Sequence, residues 1–480
     1  IDGDGEDEIV GATIFGGVYA WNTDGTRVDG FPYESIGREP DEFDTWHTYD
    51  QGFAGAPTIR DLDDDGAAEI VLPGADGRLY VLSGDGTDWG DYPMEFCFPG
   101  SEKFEYEDAL CGSEGDRSIT SALVADVDND GHMEIGFGTN EAVLDGRYSA
   151  SYLIDAKTGE AEPGWPRLAS GLVNEAALLP LVGQGHPSSM SAADLDGDGD
   201  LELADPIMLG QTPILSHDGT EHLALDFTEM NWHEDHNVDV PSVVQMVNNP
   251  SFGDLSGDGL PDPIQGGAGA LWLASLAMTQ HYDFQHAVLA WSGLTGTLLP
   301  GWPRQIEDIQ FLVAPAVADI SGDERPEAIY GSGGYMLYAW DGMGQIAPGW
   351  PKFTGHWILG SPAVGDIDGD GYLDVVVSTR EGWLHAWSTS GAADQVIEWA
   401  SLHHDKGNTG DHSLAIPTQK GPLRTEEPDE EDVAEGDDED KAGGCGCAAT
   451  SQTGTTPWLV FGLLGAIVWR RRLATRASTE

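Results

Sequence analysis

Short apolar runs separated by glycine-rich turns fill the first 410 residues, and no long segment repeats with a helical period. The runs recur in a fixed order. A small-residue stretch comes first, as in Ala56–Arg60 and Ser361–Gly365. A β-branched run follows, as in Glu69–Leu72 and Asp374–Val377. After a Gly turn comes an aromatic strand: Val18–Trp21, Leu79–Leu82, Val288–Trp291, Leu337–Trp340 and Leu384–Trp387. An aromatic–proline pair often closes the unit: Phe31-Pro32, Trp165-Pro166, Trp302-Pro303 or Trp350-Pro351. Runs of β-branched and aromatic residues between turns predict about four strands per unit.

Between the first and second runs sits one polar pattern, with an acid at loop positions 1, 3 and 5, often Gly at 6, and an acid at 9. Four copies are complete: Asp61, Asp63, Asp65, Glu69; Asp126, Asp128, Asp130, Glu134; Asp194, Asp196, Asp198, Glu202; and Asp366, Asp368, Asp370, Asp374. Two copies depart from it. One has Asp254, Ser256, Asp258 and Asp262; the other has Asp319, Ser321, Asp323 and Glu327, with Glu324 in place of Gly. A seventh copy opens the chain without its first acid, as Asp2, Asp4 and Glu8. First acids of successive full copies lie 65, 68, 60, 65 and 47 residues apart, which suits a four-stranded blade with loop insertions. A four-stranded unit has two open edges, and radial packing of such units buries their faces. The expected fold is therefore all-β: a seven-bladed β-propeller of four-stranded blades over residues 1–412. Blade 1 lacks its first strand in this sequence. A strand preceding Ile1 or the segment after Trp399 would supply it.

Charge sharpens the picture. The chain has 84 Asp+Glu against 21 Lys+Arg, a formal net charge of -63, which repels nucleic acid and suits a divalent-cation binder. Ca²⁺ takes six to eight oxygen ligands, and alternating carboxylates at positions 1, 3 and 5 can converge on one ion, with position 9 closing the shell. An EF-hand would need Glu at position 12 between helices, but here that position is Leu72, Phe137, Asp205, Gln265, Tyr330 and Val377. The loop is expected to join two strands of a hairpin.

These loops, with the segment Trp399–Gly410, resemble the FG-GAP (VCBS-type) repeats of integrin α-subunit propellers and their bacterial relatives. The resemblance implies that the loops lie between strands 1 and 2 of a blade and bind calcium through the residues named above.

Long insertions are expected on the opposite face of the propeller, and function often resides in loops set on a rigid scaffold. Trp46, His47, Tyr49, Trp232, His233, His236, His281 and Tyr282 are the candidate ligand face, with a protein or glycan as partner. No nucleophile motif, phosphate-binding loop or zinc-protease motif is present. The leading expectation is thus a non-catalytic adhesion or ligand-binding protein, and the alternative is a polysaccharide lyase or hydrolase on the same scaffold.

Cysteines are few. Cys97 and Cys111 share one loop-like stretch and would form a disulfide in an exported protein. Residues 413–442 include the acidic run Glu426–Asp440, which is expected to be a disordered linker. Residues 443–480 hold Cys445 and Cys447, an apolar run Pro457–Trp469 and the cluster Arg470–Arg472. As a helix the apolar run reaches about 20 Å, short of a roughly 30 Å hydrocarbon core. The order of cysteine motif, short apolar helix and arginines resembles the MYXO-CTERM sorting domain. That resemblance implies export, cleavage near Cys445 or Cys447 by a sorting protease, and retention at the cell surface or outer membrane.

Overall fold

Glu69–Pro73 shows why this chain builds sheets buried on both sides. Its residues Glu-Ile-Val-Leu-Pro do not alternate apolar with polar, and every one of them is buried in the computed structural model. A strand in an open sheet would leave one face wet; this one has another sheet packed against each face. The structure describes residues 1–37, 52–96, 117–141, 149–168, 184–207, 212–226, 243–244, 248–269, 286–308 and 313–418. Among them every regular element is a strand, and no helix is long and apolar enough to cross a membrane.

The strands form antiparallel sheets in simple up-and-down order. In the second sheet Thr58–Arg60, Glu69–Pro73, Arg78–Leu82 and Met94–Glu95 lie side by side, with Thr58 opposite Val71 and Ile70 opposite Leu82. The third sheet repeats this with Leu123–Ala125, Glu134–Gly138, Ala150–Asp155 and Arg167–Leu168, and the fourth with Ser191–Ala193, Glu202–Ala204, Ile214–Leu215 and Glu221–Leu223. Ser251–Gly253, Asp262–Gly269, His286–Ala290 and Arg304–Ile306 make the fifth, to which Val243–Val244 adds. The sixth contains Ala316–Ala318, Glu327–Gly331, Met336–Trp340 and Lys352–Phe353. Two of these seven sheets fall short of the expected four strands among the described residues, and Asn140–Glu141 with Gln184–Gly185 form a separate two-stranded ribbon. The first has Glu8–Ala12, Gly17–Asn22 and Tyr33–Glu34; the seventh has Ala363–Gly365, Tyr372–Ser378 and Leu384–Ala392.

Successive sheets share apolar cores. Val18 and Phe31 of the first pack with Tyr80 and Leu82 of the second; Val81 of the second packs with Phe137 and Tyr152 of the third. Leu153 and Trp165 continue to Leu203 of the fourth, a larger cluster joins the fourth, fifth and sixth, and Ile329 and Leu337 meet Val375 and Val377 of the seventh. Tryptophan N–H groups also bind across these boundaries. Trp165 Nε1 donates to His217 O at 2.8 Å, and Trp302 Nε1 to Gly342 O at 3.2 Å. Close approach at the turns requires glycine. Gly164 has φ +93°, and a Cβ there would lie 1.8 Å from Asp218 O in the next sheet.

Inner strands face a common hub, and side-chain hydroxyls link them. Thr58 Oγ1 donates to Ala122 O at 2.7 Å, Ser191 Oγ to Pro250 O at 3.0 Å and Ser251 Oγ to Pro315 O at 2.8 Å. Residues 397–411 run through this hub. Ile397–Trp399 pair with Ala316–Ala318 of the sixth sheet, and Val364 N of the seventh donates to Ala400 O. Lys406 Nζ then meets Asp7 Oδ1 of the first sheet's loop at 2.6 Å. Ile59 N, Val124 N and Ala192 N of the second, third and fourth sheets donate to the carbonyls of Gly407, Thr409 and Gly410. Glu398 Oε2 accepts from Asp254 N of the fifth. Up-and-down sheets packed face to face around a common hub constitute a β-propeller.

The sequence left open whether the segment after Trp399 completes the first sheet. Among the described residues it does not: Glu8–Ala12 pairs with Gly17–Asn22 alone, and residues 400–411 go to the hub. No apolar cluster among the described residues joins the seventh sheet to the first, and Leu384 is 71% and Ile9 62% exposed.

Candidate metal centres

Each acidic loop from Asp61 onward bridges the first two strands of its sheet, as Asp61–Gly66 does between Thr58–Arg60 and Glu69–Pro73. Its backbone needs left-handed residues at positions 4 and 6. Asp64 (φ 61°), Asn129 (54°), Gly197, Gly257, Gly322 and Gly369 fill the fourth. Small side chains and glycine tolerate that region. The sixth is glycine in every copy except at Glu324, which holds φ 69° all the same.

The first acid shapes the loop. Asp61 accepts Asp65 N at 3.2 Å through Oδ1 and Gly66 N at 2.9 Å through Oδ2. The same pair of bonds recurs at Asp126, Asp254, Asp319 and Asp366, so the loops with Ser256 and with Ser321 and Glu324 keep the common shape. At Asp194 the partners are Gly197 N and Gly199 N. The fifth-position acid accepts from position 7, as Asp65 does from Ala67 N at 2.8 Å. The ninth acid clamps the neck. Glu134 Oε2 accepts Val127 N at 2.7 Å, Glu202 accepts Leu195 N at 2.9 Å, and Asp374 accepts Ile367 N at 3.0 Å. Only the Asp254 loop differs: Asp262 accepts Ser256 N at 2.7 Å and Gly293 N at 3.0 Å.

These folds bring carboxylates together. Ligand oxygens of Asp61, Asp63 and Glu69 all lie within 4.8 Å of one another, as do those of Asp2, Asp4 and Glu8, of Asp126, Asp128 and Glu134, and of Asp194, Asp196 and Glu202. Burial, with the charges of Asp63 and Asp61 behind it, pushes Glu69 up to about 7. Burial likewise pushes Glu134 up to about 8, Glu327 to about 7 and Asp262 to about 6. An oxygen-only donor set with a buried acid at its base fits a hard divalent cation, which would restore the ionised form. The acids brought together, which would hold a calcium ion, are those at positions 1, 3 and 9 of the Asp61, Asp126 and Asp194 loops and at positions 3, 5 and 9 of the opening loop, while Asp65, Asp130 and Asp198 at position 5 are not in these clusters.

Sequence reasoning missed two acids at the third sheet. Asp155 and Glu162 bring ligand oxygens within 4.8 Å of Glu134. They come from the end of the aromatic strand and the turn after it, outside the loop motif, and no spacing signal announces them. Position 12 serves another purpose. Asp205 is buried, accepts Ser151 Oγ at 2.9 Å and faces His186 Nδ1 at 2.9 Å.

Trp46, His47, Tyr49, Trp232, His233, His236, His281 and Tyr282 lie outside the described residues, as do Cys97, Cys111, Cys445, Cys447, the acidic run and the apolar tail.

The family model for the FG-GAP repeat matches residues 360–382, which contain the loop from Asp366 to Asp374. No curated protein matches the chain. Among solved structures it is similar to BamB from Moraxella catarrhalis, with 12% identity, 80% of this chain and 82% of that one covered, and a TM-score of 0.45. It is similar to the quinohemoprotein alcohol dehydrogenase from Comamonas testosteroni at 13% identity, 81% and 66% coverage and 0.48. It is also similar to the V. cholerae biofilm matrix protein Bap1 at 14% identity, 87% and 90% coverage and 0.38. At these scores the likenesses carry no inference about function, and the fold rests on the sheets and hub described above.

Proposed function

We propose that this chain is a calcium-stabilised, seven-bladed propeller that binds an extracellular protein or glycan and performs no catalysis. One observation carries the reading: the acidic loops share one backbone shape, and the ligand oxygens of the clusters at Asp2, Asp61, Asp126 and Asp194 converge within 4.8 Å. In this reading each ion is structural. It ties the first two strands of a blade at the loop face, leaving the opposite face free for a ligand. At ten times its dissociation constant an ion stabilises the fold by about 1.4 kcal/mol. The acidic linker and the cysteine-containing tail would hold the propeller at the cell surface after export.

A binding screen of the full chain against surface proteins and glycans, run with calcium and with chelator, tests this reading. A ligand retained in calcium and released by chelator is the expected result. A binder indifferent to chelation, or turnover of a polysaccharide, contradicts it.

A further inference from the structure

Opposite the acidic loops, the sixth and seventh sheets display aromatic side chains in the open. Trp383 is 60%, Phe353 68% and Tyr335 45% exposed. Tyr335 and Trp383 sit in the turns between the second and third strands of their sheets, and Phe353 ends the sixth sheet's outer strand, leading into the connection between the two. Hydrogen bonds and one ring contact link the turns of Tyr335 and Trp383 to the connection after Phe353. Tyr335 O accepts Thr354 N at 3.0 Å, and Thr354 Oγ1 donates to His356 O at 2.7 Å. The His356 ring lies nearly parallel to Trp383, at 12° with centroids 6.5 Å apart. Arg380 N donates to Trp357 O at 2.8 Å, joining the turn to the connection.

Tyr335 adds a second, independent sign. It holds φ 70°, whereas the corresponding turn positions of the first, second and seventh sheets are Gly16, Gly77 and Gly382. An L-residue in that region is strained by its Cβ. Little packing offsets the cost for a side chain so exposed, and such strain collects at sites of function. Polar groups border the rings. Glu381 Oε2 lies 3.5 Å from His356 Nδ1, and the Arg380 guanidinium sits 5.6 Å from the Trp357 ring centre.

We propose that Tyr335, Phe353, His356 and Trp383 form a stacking platform for neutral pyranose sugars of a glycan chain. The proposal rests on the ligand-binding reading above and names its ligand class. A flat, exposed ring matches the apolar C–H face of a pyranose, and a carboxylate, an imidazole and a guanidinium at its rim match the hydroxyl edge. The formal net charge of -63 repels uronate- or sulfate-bearing chains and leaves neutral ones.

Affinity electrophoresis of the full chain through gels containing a neutral glucan, a galactomannan or polygalacturonate tests it. The wild type is expected to be retarded by a neutral polymer and not by polygalacturonate. Trp383→Ala should weaken that retardation at least about tenfold, in line with loss of a stacked ring. Tyr335→Gly should weaken it several-fold while its melting temperature rises. A wild type unretarded by either neutral polymer, stronger retardation by polygalacturonate, or variants retarded like the wild type would each overturn the platform. A protein ligand lost on Trp383→Ala, without glycan retardation, overturns the glycan assignment and leaves the ligand-binding reading standing. Retardation that persists in chelator supports the platform and counts against the calcium dependence alone.

Discussion

Leu62 donates its backbone N–H to Glu69 Oε2 at 2.9 Å, seven residues away across the neck of the acidic loop. The position-9 acid is therefore a clamp as well as a candidate ligand, because one oxygen closes the loop and the other remains for a cation. Glu134 makes the same bond to Val127 N. Glutamine there keeps an acceptor for Val127 N and removes the buried charge. Glu134→Gln should lower the melting temperature in calcium, by the equivalent of about 1.4 kcal/mol if one ion at ten times its dissociation constant is lost. In chelator the same variant should melt at or above the wild-type temperature. Paired thermal melts check both; equal losses in the two buffers would mean that the acid acts only as a clamp.

The pH dependence in chelator has a definite sign. Burial raises Glu69 and Glu327 to about 7 and Glu134 to about 8, above the ordinary carboxyl value of 4.5. A raised folded-state value means that the folded protein holds its proton more tightly than the unfolded chain. The resulting stability is fully present below about 4.5 and is lost as pH rises through 7 to 8. Chelated protein should thus melt at steadily lower temperature between pH 5 and pH 8. Calcium should flatten or reverse that slope by holding the carboxylates ionised. A chelated melt that rises over this window would show that these acids are not buried as described.

Glu324 occupies a left-handed position that glycine fills in the other loops. Glu324→Gly should stabilise the chelated protein by about 1 kcal/mol, the strain of an L-residue in that region, reduced by the freedom glycine regains on unfolding. Urea melts measure this directly, and a destabilised variant would place the loop in another conformation.

The loops were legible in the sequence because their chemistry is local: each needs acids at set spacings and small or glycine residues at positions 4 and 6. The hairpins were legible for the same reason, since β-branched and aromatic runs flank most of the loops. Asp155 and Glu162 were not, because Asp155 reaches Glu134 through strand pairing and Glu162 through the turn that folds back onto the paired strand, rather than through a motif. Nor was the path of residues 400–411, which carry no strand signal and gain their place by accepting hydrogen bonds from inner strands of several sheets. Tyr335 carried no signal in the sequence; its significance lies in a backbone angle that no side-chain pattern reveals.

The hub should be intolerant of added bulk. Gly410 has φ 72°, and a Cβ there would lie 2.4 Å from the His403 ring, itself fully buried between Met190 O and Asn408 O. Gly410→Ala should cost about 2 kcal/mol or more, from the left-handed angle and the collision together. Chemical denaturation with a single-transition fit reports it, and a neutral effect would mean that residues 400–411 do not tie the sheets together.

Calcium binding itself is tested most directly by counting ions on the native full chain by mass spectrometry, alongside its melt with and without chelator. Four or more bound calcium ions and a melting temperature that falls by many degrees on chelation are expected. A chain that carries no calcium and melts unchanged in chelator would contradict the metal reading and leave the acidic loops as turns.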